Sequence, residues 1–67
     1  MITVSINGES RQFNQALSVA EFIEELGYTG KRIALERNGE IVPRSQFAQQ
    51  MIVDGDKLEL VVAVGGG

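Results

Sequence analysis

The sequence has no cysteine, no histidine, no tryptophan and a single proline, and the first two absences exclude the most chemistry. Without cysteine there is no disulfide and no thiolate nucleophile. Without histidine there is no side chain that exchanges protons near neutral pH, and no zinc site of the usual Cys/His kind. Nucleophilic catalysis by a Cys/His or Ser/His pair is therefore excluded. Positive charge is also scarce: six Lys and Arg against nine Asp and Glu leave a formal net charge of -3. The cations are scattered, so there is no electrostatic footprint for nucleic acid. Long apolar runs are missing as well. The longest aliphatic stretch, Leu60 to Val64, falls far short of the ~20 residues of a membrane span. Met1-Ile2-Thr3-Val4 has neither the basic region nor the apolar stretch of a signal peptide, so the expectation is a cytoplasmic protein with no membrane partner.

What is present fits one small unit, a single domain over residues 1–67 with a flexible tail at 65–67. A chain of 67 residues buries only ~60% of the surface its unfolded form exposes, so a thin core must be helped by strong local structure. Ile2, Val4 and Ile6 alternate with Thr3, Ser5 and Asn7, the period of a strand with one buried face. Asn7-Gly8 supplies the two positive-φ positions of a tight hairpin turn. The returning segment, Glu9 to Phe13, is polar except for Phe13, as suits an edge strand.

Ser18-Val19-Ala20-Glu21 is a capping box, with Leu17 and Phe22 placed as a hydrophobic staple. Val19, Phe22, Ile23 and Leu26 then form one apolar stripe while Glu21, Glu24 and Glu25 face water. These features predict a helix from about Val19 to Leu26, stopped by Gly27. Ile33 to Arg37 reads as a third strand, Asn38-Gly39 repeats the hairpin signal, and Glu40-Ile41-Val42 returns until Pro43 ends it. Ser45 can cap a short helical turn through Gln46 to Gln49, from which Phe47 closes over the core. After an Asp54-Gly55-Asp56 turn, Leu58, Leu60, Val62 and Val64 alternate with Glu59, Val61 and Ala63. Because even its second face is apolar, this last strand is expected to be the most buried. Hairpins at both ends and one helix between them predict an α+β fold with a mixed five-stranded sheet and the helix across one face. In a ubiquitin-like β-grasp the first and last strands lie together in parallel, which would centre the two most apolar strands found here.

Few residues offer chemistry. Asp54 and Asp56 flank a glycine but lack the further oxygen ligands of a calcium loop, so the segment reads as a turn and no metal is expected. The three glutamates of the helix read as a solvated face. Arg44, after the rigid Pro43, reads either as ordinary surface or as a partner-binding charge. Val61 and Ala63 read either as part of a covered central strand or as an apolar contact patch on an open face. Val61, Ala63 and Arg44 are thus the candidates for a docking surface. Gly65-Gly66-Gly67 has no packing role and no fixed shape. It reads either as a frayed end or as a tail able to enter a channel too narrow for side chains. A carboxylate on Gly67 is unhindered and open to activation as an acyl adenylate.

Ile41-Val42-Pro43-Arg44, Gln46-Phe47-Ala48-Gln49, Asp54-Gly55-Asp56 and Gly66-Gly67, in this order and spacing, resemble the thiamine-biosynthesis sulfur carrier proteins, ubiquitin-like β-grasp proteins ending in Gly-Gly. The resemblance extends over essentially the whole chain. Asp-Gly-Asp and the final Gly-Gly are shared with the molybdopterin-synthase small subunits. The Ile41-to-Gln49 segment favours the thiamine branch, and the Pro-Pro stretch that the molybdopterin carriers usually place before their tail is missing. The resemblance implies a carrier rather than an enzyme. Gly67 would be adenylated by an E1-like adenylyltransferase using ATP and magnesium. Sulfur from a cysteine-desulfurase relay would displace AMP, and the resulting thiocarboxylate would serve thiazole synthase. Gly65, Gly66 and Gly67 would enter the partners' channels; Gly65 departs from relatives that commonly carry a side chain there. The alternatives are sulfur transfer to molybdopterin or tRNA, and a ubiquitin-like protein modifier or binding module.

Overall fold

The computed structural model describes residues 1–63. Strands β1 (Ile2–Ile6) and β2 (Glu9–Phe13) pair antiparallel across Asn7 and Gly8, whose φ values of 50° and 86° make the turn. A left-handed pair of this kind matches the twist of the flanking strands, which is why Asn-Gly is favoured there. β3 (Leu17–Ser18) leads directly into the helix α1 (Val19–Glu25). β4 (Arg32–Arg37) and β5 (Glu40–Val42) form the second hairpin, with φ of 52° at Asn38 and 87° at Gly39. A 3₁₀ turn (Arg44–Gln46), β6 (Met51–Ile52) and β7 (Lys57–Ala63) complete the order.

The five-stranded sheet has the order β2-β1-β7-β4-β5, with β1 and β7 parallel at its centre and the other neighbours antiparallel. This is the mixed β-grasp sheet that the sequence predicts. The helix packs across one face. Val4, Val19, Phe22, Leu35, Ile52 and Leu58 form the deepest part of the core, and the Phe13 ring meets Phe22 edge-on at 5.7 Å between centroids. Phe47 and Tyr28, both half-buried, pack against this cluster from its margins.

The helix is held at both ends by groups its sequence supplies. The Ser18 N–H donates to Glu21 Oε1 at 2.9 Å while the Glu21 N–H donates to Ser18 Oγ at 3.1 Å, completing the capping box. At the other end Gly27 takes φ of 80°, its N–H bonding Glu24 O and the Tyr28 N–H bonding Ile23 O. These crossed bonds satisfy the last carbonyls of a helix only seven residues long. So short a helix has little stability of its own. Replacing Ser18 with Ala is therefore expected to cost about 1 kcal/mol. In a domain of this size that corresponds to a fall of roughly 4–8 °C in the thermal midpoint followed by circular dichroism.

Three details differ from the expectations. The turn through Gln46 to Gln49 forms, with Gln46 O accepting from the Gln49 and Gln50 N–H groups at 2.9 Å, but Ser45 does not cap it. The 3₁₀ turn runs over Arg44–Gln46 with Pro43 before it, at φ of -62°, and no side chain caps it. Pro43 stays extended at ψ of 143° and ends β5, so the turn starts directly after it and closes through Gln46 N–H to Pro43 O at 2.9 Å. Second, Leu17–Ser18 pairs with Met51–Ile52 in a small separate sheet, a pairing too short to leave an alternating pattern in the sequence. Third, β7 is central but not buried on both faces: Leu58 and Leu60 are buried, whereas Val61 is 63% exposed and Ala63 is exposed. A helix covers only one side of this sheet, so the apolar second face of β7 meets solvent.

Candidate functional site

The described residues that precede the glycine tail in sequence are those of β7, one side of which faces away from the helix. The tail itself, Gly65, Gly66 and Gly67, lies outside the described residues. Leu58, Leu60 and Val62 turn to the core, which puts Glu59, Val61 and Ala63 on the open face. Register then fixes their neighbours. Val61 lies opposite Ala34, Ala63 opposite Arg32, and Glu59 opposite Glu36, which in turn faces Ile41 on β5. All are exposed, and Ile41 reaches 75%. The open face thus carries Ile41, Val61, Ala34 and Ala63 in one area, with the directly opposed Glu59 and Glu36 in the row of Ile41 at one end of it. Like charges in direct opposition weaken a sheet. Contiguous apolar groups left in water mark contact surfaces more often than ordinary exterior.

Arg44 is exposed but is not part of this face. It opens the turn that carries the chain off β5 towards the start of α1, where Ala20 N–H donates to Phe47 O and Val19 N–H to Gln50 O. Ile41 was the residue missed by sequence reasoning. It adjoins Val42 in a three-residue strand, and two consecutive apolar residues in a strand must point to opposite faces.

β7 is aimed by contacts at its beginning. The Gly55 N–H donates to Thr3 O at 2.9 Å and the Thr3 N–H to Asp54 Oδ1 at 2.7 Å, tying the loop to β1. Asp56 is 5% exposed and accepts three bonds: from Arg37 Nε at 2.8 Å, Val53 N–H at 2.9 Å and Asn38 Nδ2 at 3.1 Å. Burial pushes its carboxyl up, but the Val53 amide, the Arg37 and Asn38 hydrogen bonds and the Arg37 charge together hold it below its ordinary value of 3.8. Both aspartates are thus engaged with protein donors. Among the described residues no group of three or more His, Cys, Asp or Glu side chains is arranged to hold a metal ion.

Further along, Asn7 takes over. Its N–H donates to Leu58 O at 2.9 Å, its Nδ2 donates to Leu60 O at 3.0 Å, and its Oδ1 accepts from the Leu60 N–H at 2.8 Å. One turn residue therefore extends the pairing of β1 with β7 by a rung. Among the described residues no helix is long and apolar enough to cross a membrane.

Comparison with known proteins agrees with this architecture. A crystal structure of the thiamine biosynthesis protein ThiS from Geobacter metallireducens superposes with a TM-score of 0.84 at 28% identity, over 98% of this chain and 100% of that one. The sulfur carrier protein ThiS of Escherichia coli is 34% identical over 64 residues, covering 96% of this chain and 97% of the relative. A thiazole synthase of Paramagnetospirillum magneticum is 50% identical over 62 residues, 92% of this chain but only 19% of that longer protein. The ThiS family pattern matches residues 4–67, through both hairpins, the helix, β7 and the glycines. The chain belongs to the ThiS family.

Proposed function

We propose that this chain carries sulfur for the thiazole part of thiamine, as a thiocarboxylate on Gly67. The family match reaching Gly67 is the observation that carries this reading. In the first step a Gly67 carboxylate oxygen attacks the α-phosphate of ATP and pyrophosphate leaves, giving an acyl adenylate. A persulfide carried by the cysteine-desulfurase relay then adds through its outer sulfur to the carbonyl carbon and AMP leaves. A second thiol of the partners cleaves the S–S bond of the resulting acyl disulfide, leaving a thiocarboxylate on Gly67 and a disulfide on the partners. The thiocarboxylate finally delivers its sulfur to thiazole synthase. ATP and magnesium belong to the E1-like activating partner, and this chain, with neither Cys nor His, leaves the covalent chemistry to its partners.

The chain's own contribution is shape. Gly65, Gly66 and Gly67 offer no side chain to obstruct a narrow channel, and no branched group crowds the carbonyl carbon under attack. Val61 and Ala63, joined by Ile41 and Ala34, form an apolar face on which a partner can dock. Arg44, on a separate turn, is a second charged contact for a partner broad enough to reach it. The reaction is proposed to run in the cytoplasm.

The test is the intact mass of the protein after incubation with ATP, a sulfur source and the cognate activating enzyme. The expected result is a gain equal to sulfur replacing one oxygen, confined to the last peptide. An unchanged mass with a demonstrably active enzyme would remove the carrier reading.

A further inference from the structure

The two edges of β7 are hydrogen-bonded unequally, and the inequality falls at the end of the described strand. On the β4 side the ladder runs unbroken from Leu58 opposite Arg37 to Ala63 opposite Arg32. On the β1 side, strand pairing covers only Lys57 opposite Ser5 and Leu58 opposite Ile6. The Asn7 side chain then supplies one more rung at Leu60, after which β1 has turned away into its hairpin. Leu58 and Leu60 direct backbone groups to the β1 side, so strand alternation directs those of Val62 the same way. Among the described residues nothing bonds them there.

Beside this bare edge is a cavity of about 310 Å³ whose lining includes Ile6, Leu26, Tyr28 and Leu60, with the charged Glu9 and Arg11. Neighbouring residues on adjacent strands point to the same face. A residue placed alongside Val62 would therefore send its side chain towards the helix face, where this cavity lies. Free backbone groups give affinity and an adjoining pocket gives side-chain selection, which are the two elements of recognition by strand addition.

We propose that the β1-side edge of β7 is a strand-addition site for thiazole synthase, in which an extended segment of the synthase pairs with the Val62 backbone and sets one apolar side chain into the cavity. The inference rests on the proposed carrier function. The synthase is favoured over other occupants because a relative 50% identical to this chain is a region of a thiazole synthase, so that module and synthase are held in one polypeptide. Val62 is also the last inward-facing described residue before the tail. Pairing there anchors the chain five residues before Gly67 in sequence and so brings the proposed sulfur-bearing end to the synthase.

Amide hydrogen exchange, followed residue by residue by NMR on the full chain with and without the cognate thiazole synthase, tests this. In the free protein the Val62 N–H is expected to exchange faster than those of Val61 and Ala63, which face β4. Addition of synthase is expected to slow Val62 at least about tenfold. Glu9→Phe, which fills the cavity from an exposed position, is expected to weaken synthase binding roughly tenfold with an unchanged thermal midpoint. A synthase that binds while Val62 still exchanges freely overturns the strand-addition site and leaves the carrier reading intact. Protection of Val62 in the free protein also overturns it, as does protection that grows with carrier concentration alone, which assigns the edge to a second copy. Protection by the activating enzyme and not by the synthase overturns the assignment to the synthase. A synthase that does not bind at all overturns this inference, and the mass measurement then decides independently whether the carrier reading survives.

Discussion

Removal of Gly67, or its replacement by Trp, is expected to abolish adenylation and thiocarboxylate formation while leaving the thermal midpoint unchanged. The effect is large because the carrier reading assigns all of the covalent chemistry to one carbonyl carbon. Without Gly67 the carboxylate is withdrawn by one residue, and a near-miss in placing a reacting group costs orders of magnitude. With Trp the carboxylate is present but its side chain cannot follow the glycines into a narrow channel. The fold is expected to tolerate both changes, because among the described residues every buried core residue lies between Ile2 and Leu60. Pyrophosphate release with the cognate activating enzyme measures the first step and the intact mass measures the second. Adenylation of the Trp variant at the wild-type rate would sink the assignment. Gly65→Ala separates channel width from chemistry: it leaves the carboxylate in place and is expected to slow activation only modestly, since many relatives tolerate a side chain there by resemblance.

What the sequence made legible was the local part of the fold. Both Asn-Gly turns, the Ser18 and Glu21 capping box and the Gly27 stop are short-range devices whose partners lie within a few residues, and each is found where its residues predict it. Strand alternation also predicted the buried side of β1, whereas β7, apolar on both faces, was expected to be the most buried strand and is covered on one side only. What it could not supply were meetings between distant segments. Leu17–Ser18 finds Met51–Ile52 across the helix, Asn7 reaches Leu60, and Ile41 joins Val61 only through the intervening β4. None of these has a periodic signature, because each depends on how strands are ordered in space. Asn7 is the clearest case. Its sequence role, a positive-φ turn residue, is correct but incomplete, since the same amide that tolerates the turn also bonds the strand leading to the tail.

The Asp56 network is where this small fold is most exposed to a single change. The carboxylate joins three segments at once: Val53 in the loop before β7, Arg37 at the end of β4 and Asn38 in the second hairpin. Arg37 also donates to Gln50 Oε1 at 3.2 Å, and Asn38 Oδ1 accepts from the Lys57 N–H at 2.9 Å, so the network reaches from β4 to the first residue of β7. Asp56→Ala leaves the Val53 amide and the Arg37 guanidinium without their acceptor. Breaking one side of a buried ion pair costs roughly 3–5 kcal/mol. The Arg37 side chain is 26% exposed and can recover part of its hydration, which brings the expected loss to about 2–4 kcal/mol. A domain of this size has only about 3–10 kcal/mol in total, so chemical denaturation should show a variant close to unfolding. Acid gives a second readout whose sign follows from the lowered carboxyl. In the window below the ordinary 3.8 and above the folded value, the unfolded chain binds a proton at Asp56 that the folded chain does not, so stability rises with pH there. The contribution is complete above the unfolded value and disappears as pH falls through the folded one. Asp56→Asn keeps the shape but removes the titration, and is expected to flatten that acid limb as well as lower stability at neutral pH. A denaturation midpoint in Asp56→Asn that falls with acid as steeply as wild type would mean that other carboxylates set the acid sensitivity.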